Sequence, residues 1–152
     1  MSDAQSILDA AIADFDPAIA AQANEAIASL RAELPNAHVL VYDNYAALAV
    51  GFSSTDKATG IAFSITLYPR WVSLFFGRGV ELDDPKNLLK GTGSRIRHVV
   101  LSDDLTIQHP DVRKLMDEAL AILEPPMPPD RQGEVIIKTQ VEKKRARRPA
   151  RK

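Results

Sequence analysis

Two stretches of this sequence carry side chains whose types and spacing could do chemistry. The first is Gly91-Thr-Gly-Ser-Arg-Ile-Arg-His98. Gly91 and Gly93 can take positive φ and expose amide donors, and Arg95 and Arg97, two residues apart, fall on one face of an extended segment. With Arg70 from an upstream turn they are candidate contacts for a phosphate or carboxylate. The plainer reading of the same run is a glycine cap that closes a short helix and turns into a strand, with the arginines in water. It is neither a phosphate-binding loop nor a dinucleotide fingerprint, because the required lysine or following helix is absent. The second stretch is the basic run Lys143, Lys144, Arg145, Arg147, Arg148, Arg151 and Lys152. Such a cluster can bind nucleic acid by neutralising phosphates, with steep salt dependence, or contact an acidic partner; it can also serve as a solubilising tail that folds back on an acidic body.

The remaining candidates are weaker in kind. His98 shares its strand face with Ile96 and Val100, which suits a half-buried, hydrogen-bonded histidine, and His38 and His109 start elements. No two histidines stand i and i+4, and Ser94 lacks the flanking glycines of a nucleophile elbow, so no catalytic residue is assigned. Tyr42, Tyr45, Phe52, Phe63, Tyr68, Trp71, Phe75 and Phe76 could line a small-molecule pocket under the helices, or simply fill the core.

These residues are held by a chain of 152 residues, 45% hydrophobic and 26% charged, enough for one domain with one core. It contains no cysteine, which removes disulfides, thiolate metal sites and thiol nucleophiles. No apolar run reaches bilayer length and Met1-Ser-Asp-Ala-Gln lacks a signal-peptide pattern, so a cytoplasmic protein is expected. Seven of the 19 Lys and Arg lie in residues 143–152, leaving 12 against all 20 acidic groups in the body, a net −8 there.

The elements follow from periodicity. Ser2 and Gln5 form a capping box for a first helix carrying Ile7, Leu8, Ala11, Ile12 and Phe15. Asp16-Pro17 starts a second, with Ile19, Ala23, Ile27, Leu30 and Leu34 in one stripe until Pro35-Asn36. Short strands are expected at His38–Tyr42 and Tyr45–Phe52. Ile61, Phe63, Ile65 and Leu67 then alternate with smaller residues, Pro69-Arg70 turns the chain, and Trp71–Phe76 returns as a strand apolar on both faces. A short helix beginning at Pro85, a fifth strand at Arg95–Leu101 and a last helix carrying Val112, Leu115, Met116, Ala119 and Leu123 complete the domain near Glu124. The expected fold is α+β: an antiparallel sheet of about five strands covered by two N-terminal helices and one C-terminal helix. Residues 125–152 are expected to be a proline-rich spacer, a brief β-prone patch at Val135-Ile-Ile137 and a disordered basic tail.

Three segments, Val41-Tyr-Asp-Asn-Tyr45, Leu67-Tyr-Pro-Arg-Trp-Val-Ser-Leu-Phe-Phe76 and Gly91-Thr-Gly-Ser-Arg-Ile-Arg-His-Val99 leading to His109-Pro-Asp-Val-Arg113, together resemble the YdhG-like domain family over roughly residues 33–123. That resemblance implies a small α+β domain, largely of unknown function, with some members described as frataxin-like iron chaperones and no agreed catalytic residues to carry over. It thereby suggests an iron-binding carrier that would serve iron-using proteins. Hard oxygen ligands suit such an ion, and the tightest acidic groups are Glu81, Asp83 and Asp84 in one loop and Asp103 and Asp104 in another. The plainer reading of each group is helix caps and turn residues.

Overall fold

The computed structural model describes residues 3–149. Ser2, one half of the expected capping box, lies outside them, as do Arg151 and Lys152. Helix α1 (Asp3–Ala13) and helix α2 (Pro17–Glu33) precede strands β1 (His38–Asp43), β2 (Leu48–Ser53), β3 (Ile61–Leu67), β4 (Val72–Phe76) and β5 (Arg97–Leu101). Helix α3 (Pro110–Ala121) and strand β6 (Val135–Gln140) complete the order. The first five strands form an antiparallel meander, and β6 extends the sheet to six by pairing parallel to β1, giving the order β5-β4-β3-β2-β1-β6. Among the described residues no helix is long and apolar enough to cross a membrane.

The sheet has two unlike faces because its strands alternate. Val50 and Phe52 of β2, Phe63, Ile65 and Leu67 of β3, and Val72, Leu74 and Phe76 of β4 project to one side, where Leu8, Ile12 and Phe15 of α1, Ile27 and Leu30 of α2 and Leu115 and Met116 of α3 close over them. Phe63 is the centre, its ring 6.3 Å from that of Phe52 and 6.2 Å from that of Phe76. Each such ring, fully buried, stabilises the fold by roughly 1.5–3 kcal/mol. Asp16 caps α2 by accepting from the Ala18 N–H at 3.3 Å, ahead of Pro17. Gly51 is a close approach: a Cβ there would meet Ile61 Cδ1 at 2.8 Å.

Two expectations are corrected. Residues 44–47 form the turn between β1 and β2, so β2 starts at Leu48. The segment from Pro85 makes no helix: the Asp84 carboxylate accepts from the N–H groups of Leu88 and Leu89 at 2.9 and 2.8 Å, in place of main-chain carbonyls, and Asn87 sits at φ 56°. Helical turns occur upstream instead, at Gly79–Glu81.

The chain after Glu124 was expected to leave the domain; in the structure it crosses back to it. Asn36 Nδ2 donates to Pro129 O, the Arg131 guanidinium donates to Asn36 O and Ser54 O, and Gly133 N–H donates to Pro35 O. Gly133 lies so close to β1's approach that a Cβ would sit 1.8 Å from Ala37 O. Glu134 N–H then donates to His38 Nδ1 at 3.1 Å, and Val39 N–H to Glu134 O at 2.9 Å, which sets the register Val39↔Val135, Leu40↔Ile136, Val41↔Ile137. Pairing to a strand 96 residues away requires this docking, because parallel strands have no hairpin to align them.

Two outcomes follow. Gly133→Ala should destabilise the fold by about 2–4 kcal/mol and remove amide protection across Val135–Gln140 first, as read by denaturant melts and hydrogen exchange. The neutral His38 ring is the folded form, since burial, with Arg131 adding to it against the opposing pull of Glu134 and Asp56, holds its pKa below the ordinary value. The unfolded chain therefore takes up that proton more readily. This contribution is complete above about pH 6.5, the unfolded imidazole value, and is lost as pH falls through the lower folded pKa. Melting temperature should thus drop more steeply on acidification in the wild type than in His38→Gln, whose amide oxygen accepts the same bond without titrating.

Candidate functional site

On the face away from the helices the same strands carry small side chains. The register places Ala49 beside Thr66 and Thr66 beside Ser73 in one row, and Gly51 beside Ser64 and Ser64 beside Phe75 in the next. Taller groups stand around them. Phe75 stacks on His98 with ring centroids 4.9 Å apart, Tyr68 stacks on Trp71 at 4.7 Å, and Ile61 and Ile96 rise at the far side. The result is an open groove of about 410 Å³ floored by Ala49, Ser64 and Thr66 and ended by the turn residues Asn44, Ala46 and Ala47. A second hollow of about 550 Å³ continues it past Ile61, Gly77 and Ile96 to Arg78, Gly93, Ser94, Arg95, Leu123 and Glu124. Burial raises the pKa of Tyr68, and burial followed by the nearby Lys90 ammonium lowers that of His98, so both rings stay uncharged at neutral pH.

The aromatic set therefore divides. Phe52, Phe63 and Phe76 fill the helix-covered core, whereas Tyr68 and Phe75 line the groove on the opposite face, with Trp71 stacked on Tyr68. The expected pocket under the helices is not where these aromatics meet; the strand alternation that buries one set exposes the other.

The candidate anion contacts are not brought together either. Arg70 is at the β3–β4 turn. Arg97 bends back so that Nη1 donates to the carbonyls of Gly93 and Ile96, and its backbone fills the space beside Gly79, where a Cβ would meet Arg97 Cβ at 2.4 Å. Gly91, at φ 125°, makes the turn that lets Lys90 pair with His98 as a bridge. The glycine run thus holds a loop closed around Arg97, and Arg95 lines a hollow.

The acidic groups do not converge. Glu81 pairs with Arg78 at 2.6 and 2.7 Å, and that hydrogen bond holds its carboxyl below the usual range. Asp83 meets Lys114 at 3.3 Å, Asp84 caps the turn at Leu88 and Leu89, and Asp103 and Asp104 are exposed in the loop after β5. Among the described residues no three His, Asp or Glu side chains come together to hold a metal ion.

The described part of the basic run folds onto the domain. Asp43, at the end of β1 on the helix-covered side, is 1% exposed, and Lys144 Nζ and Arg147 Nη2 each donate to its carboxylate at 2.6 Å. Arg147, itself 8% exposed, also donates to Asn44 O and lies with its guanidinium carbon 4.8 Å from the Phe15 ring centre, a cation–π contact. Arg148 donates to the carbonyls of Ala13 and Asp14 just past the end of α1, where the helix dipole favours a cation. Arg145 N–H donates to Tyr45 O, and Thr139 Oγ1 to Asn44 Oδ1. Lys144, Arg147 and Arg148 are therefore engaged within the chain, which leaves Lys143 and the Arg145 side chain exposed and without an ion pair among the described residues of the run. The same contacts hold the 44–47 turn that ends the groove.

Sequence reasoning missed Ala49, Gly51, Ser64 and Thr66 as a floor. The signal was present in the alternation of Ser64 and Thr66 with large apolar residues, and it reads as a solvated strand face until β2, β3 and β4 are set side by side.

No protein-family model, curated protein or solved structure matches the chain.

Removing Asp43 leaves Arg147 buried without its carboxylate. Asp43→Ala should cost about 3–5 kcal/mol in chemical denaturation, whereas Asp43→Leu with Arg147→Met should recover most of that loss. A loss equal in both variants would show that the pair has no such coupling.

Proposed function

We propose that this chain is a cytoplasmic, non-enzymatic binding domain that takes a small apolar molecule in the groove on the uncovered face of its sheet. The observation that carries the reading is the floor of Ala49, Ser64 and Thr66, set between Tyr68, Phe75, Ile61 and Ile96 in a concavity of about 410 Å³. Ligand sites are mostly apolar hollows of roughly this size with a few polar groups. The groove's polar groups are hydroxyls and the Asn44 amide; no carboxylate, imidazole or amine lines it, so it offers shape and hydrogen bonds and no acid–base pair. The iron-carrier reading implied by the YdhG-like resemblance requires oxygen ligands to converge, and Glu81, Asp83 and Asp84 are individually engaged by Arg78, Lys114 and backbone amides. Binding of nucleic acid through the described part of the basic run would have to draw on Lys143 and Arg145, or break the Asp43 and α1 contacts.

Titration with anilinonaphthalenesulfonate tests the reading, with energy transfer from Trp71, the chain's one tryptophan. Saturable one-to-one binding is expected, lost in Ser64→Phe, which fills the groove while leaving the circular dichroism spectrum unchanged. Equal binding by the filled variant would overturn it.

A further inference from the structure

The second hollow fixes the kind of molecule the groove would take. Its walls are Leu123, Ile61 and Ile96 on the apolar side and Arg78, Arg95 and Glu124 on the charged side. The two cations differ. The Arg78 guanidinium is committed, donating Nε and Nη2 to Glu81 and Nη1 to Ile122 O at 2.6 Å. Arg95 and Glu124 are exposed, and neither makes an ion pair within the described residues. Arg78 and Glu81 bond to one another, with Glu124 in the field of Arg78 and Arg95 in the field of Glu81, so the hollow presents one positive and one negative group that make no direct ion pair, beside an apolar wall.

A singly charged ligand would satisfy one of these and be repelled by the other. A head group bearing both charges meets both. Resting on the groove reading above, we infer that the two hollows form one site for an apolar zwitterion: a molecule with a carboxylate directed to Arg95, an ammonium directed to Glu124, and an apolar body running past Ile96 and Gly77 onto the Ala49–Ser64–Thr66 floor. From β2 across β3 and β4 to the strand edge at Ile96 is three inter-strand spacings, ~14 Å at the usual ~4.8 Å each, so the body is not limited to a small side chain. A free α-amino acid with a large apolar side chain has this chemistry.

The probes are L-phenylalanine, phenylpropanoate and phenethylamine, which share one apolar body and differ only in the head group. Each is titrated into the full chain and followed by amide NMR shifts at Gly77, Gly93 and Ile96. L-Phenylalanine should bind about three- to ten-fold more tightly than either singly charged probe, the range for charge-assisted contacts at a half-open site. Arg95→Ala should remove its advantage over phenethylamine, and Glu124→Gln its advantage over phenylpropanoate. Both are surface substitutions whose backbone contacts are retained, so folding is preserved. Equal affinity of the three probes, or an advantage untouched by both substitutions, would overturn the zwitterion assignment while dye binding lost in Ser64→Phe still upheld the groove. Failure of all three probes to move these resonances would overturn it as well, and the dye titration then decides the groove reading separately.

Discussion

A carboxylate removed from water has to be met by cations, and in this molecule the C-terminal segment is placed by that requirement. Asp43 is buried at the end of β1, and Lys144 and Arg147 reach it from the far side of β6. Arg147 then covers Phe15 and Arg148 meets the end of α1, so one charge draws together a strand end, a helix end and a tail. Desolvation offsets most of the Coulomb attraction in such a pair. Its effect on the fold is therefore less an added increment of stability than an intolerance of being half assembled. The Arg147 Nε and Nη1 atoms, buried without a hydrogen-bond partner, fit that picture: the ring of Phe15, one carboxylate and the Asn44 carbonyl hold a guanidinium that is only partly satisfied.

The second constraint is that all three helices lie on one side. Three amphipathic helices bury one stripe each against Val50, Phe63, Ile65 and Leu74, and among the described residues no helix covers the other side of the sheet. Small side chains on the central strands keep that side from presenting a continuous apolar surface, and the taller residues around them give it relief. The two constraints meet at Asn44, whose carbonyl accepts from Arg147, whose amide oxygen accepts from Thr139, and whose side chain ends the groove.

The meander and all three helices were legible because each is specified locally: the period-two run from Ile61 to Leu67, the Asp16-Pro17 start, and the stripe from Val112 to Leu123. Val135–Ile137 was visible as β-prone, yet its parallel partner was not, since Gly133, Arg131 and Asn36 dock through backbone carbonyls that leave no trace in hydropathy. The helix expected at Pro85 failed because Asp84 caps the turn with its side chain, a competition invisible to periodicity. Of the candidate site, the aromatics that frame it were seen and its floor was not, because smallness reads as polarity until neighbouring strands are in register. The tail's charge was legible and its destination was not: Asp43, next to Asn44, has the appearance of a turn residue, and nothing in its neighbours announces that cations 101 and 104 positions later will neutralise it.

That separation has a bearing on how the chain is made. The meander can begin to pair as soon as residues 38–101 are available, since each strand meets the next. Asp43, the His38 ring and the outer edge of β1 must wait for residues 131–147. During synthesis, at roughly 5–20 residues per second, the growing chain spends several seconds with β1 as an open edge and its buried-to-be carboxylate still in water. The nascent domain is thus exposed to edge-to-edge pairing with its neighbours on the same message until its own last strand takes that place.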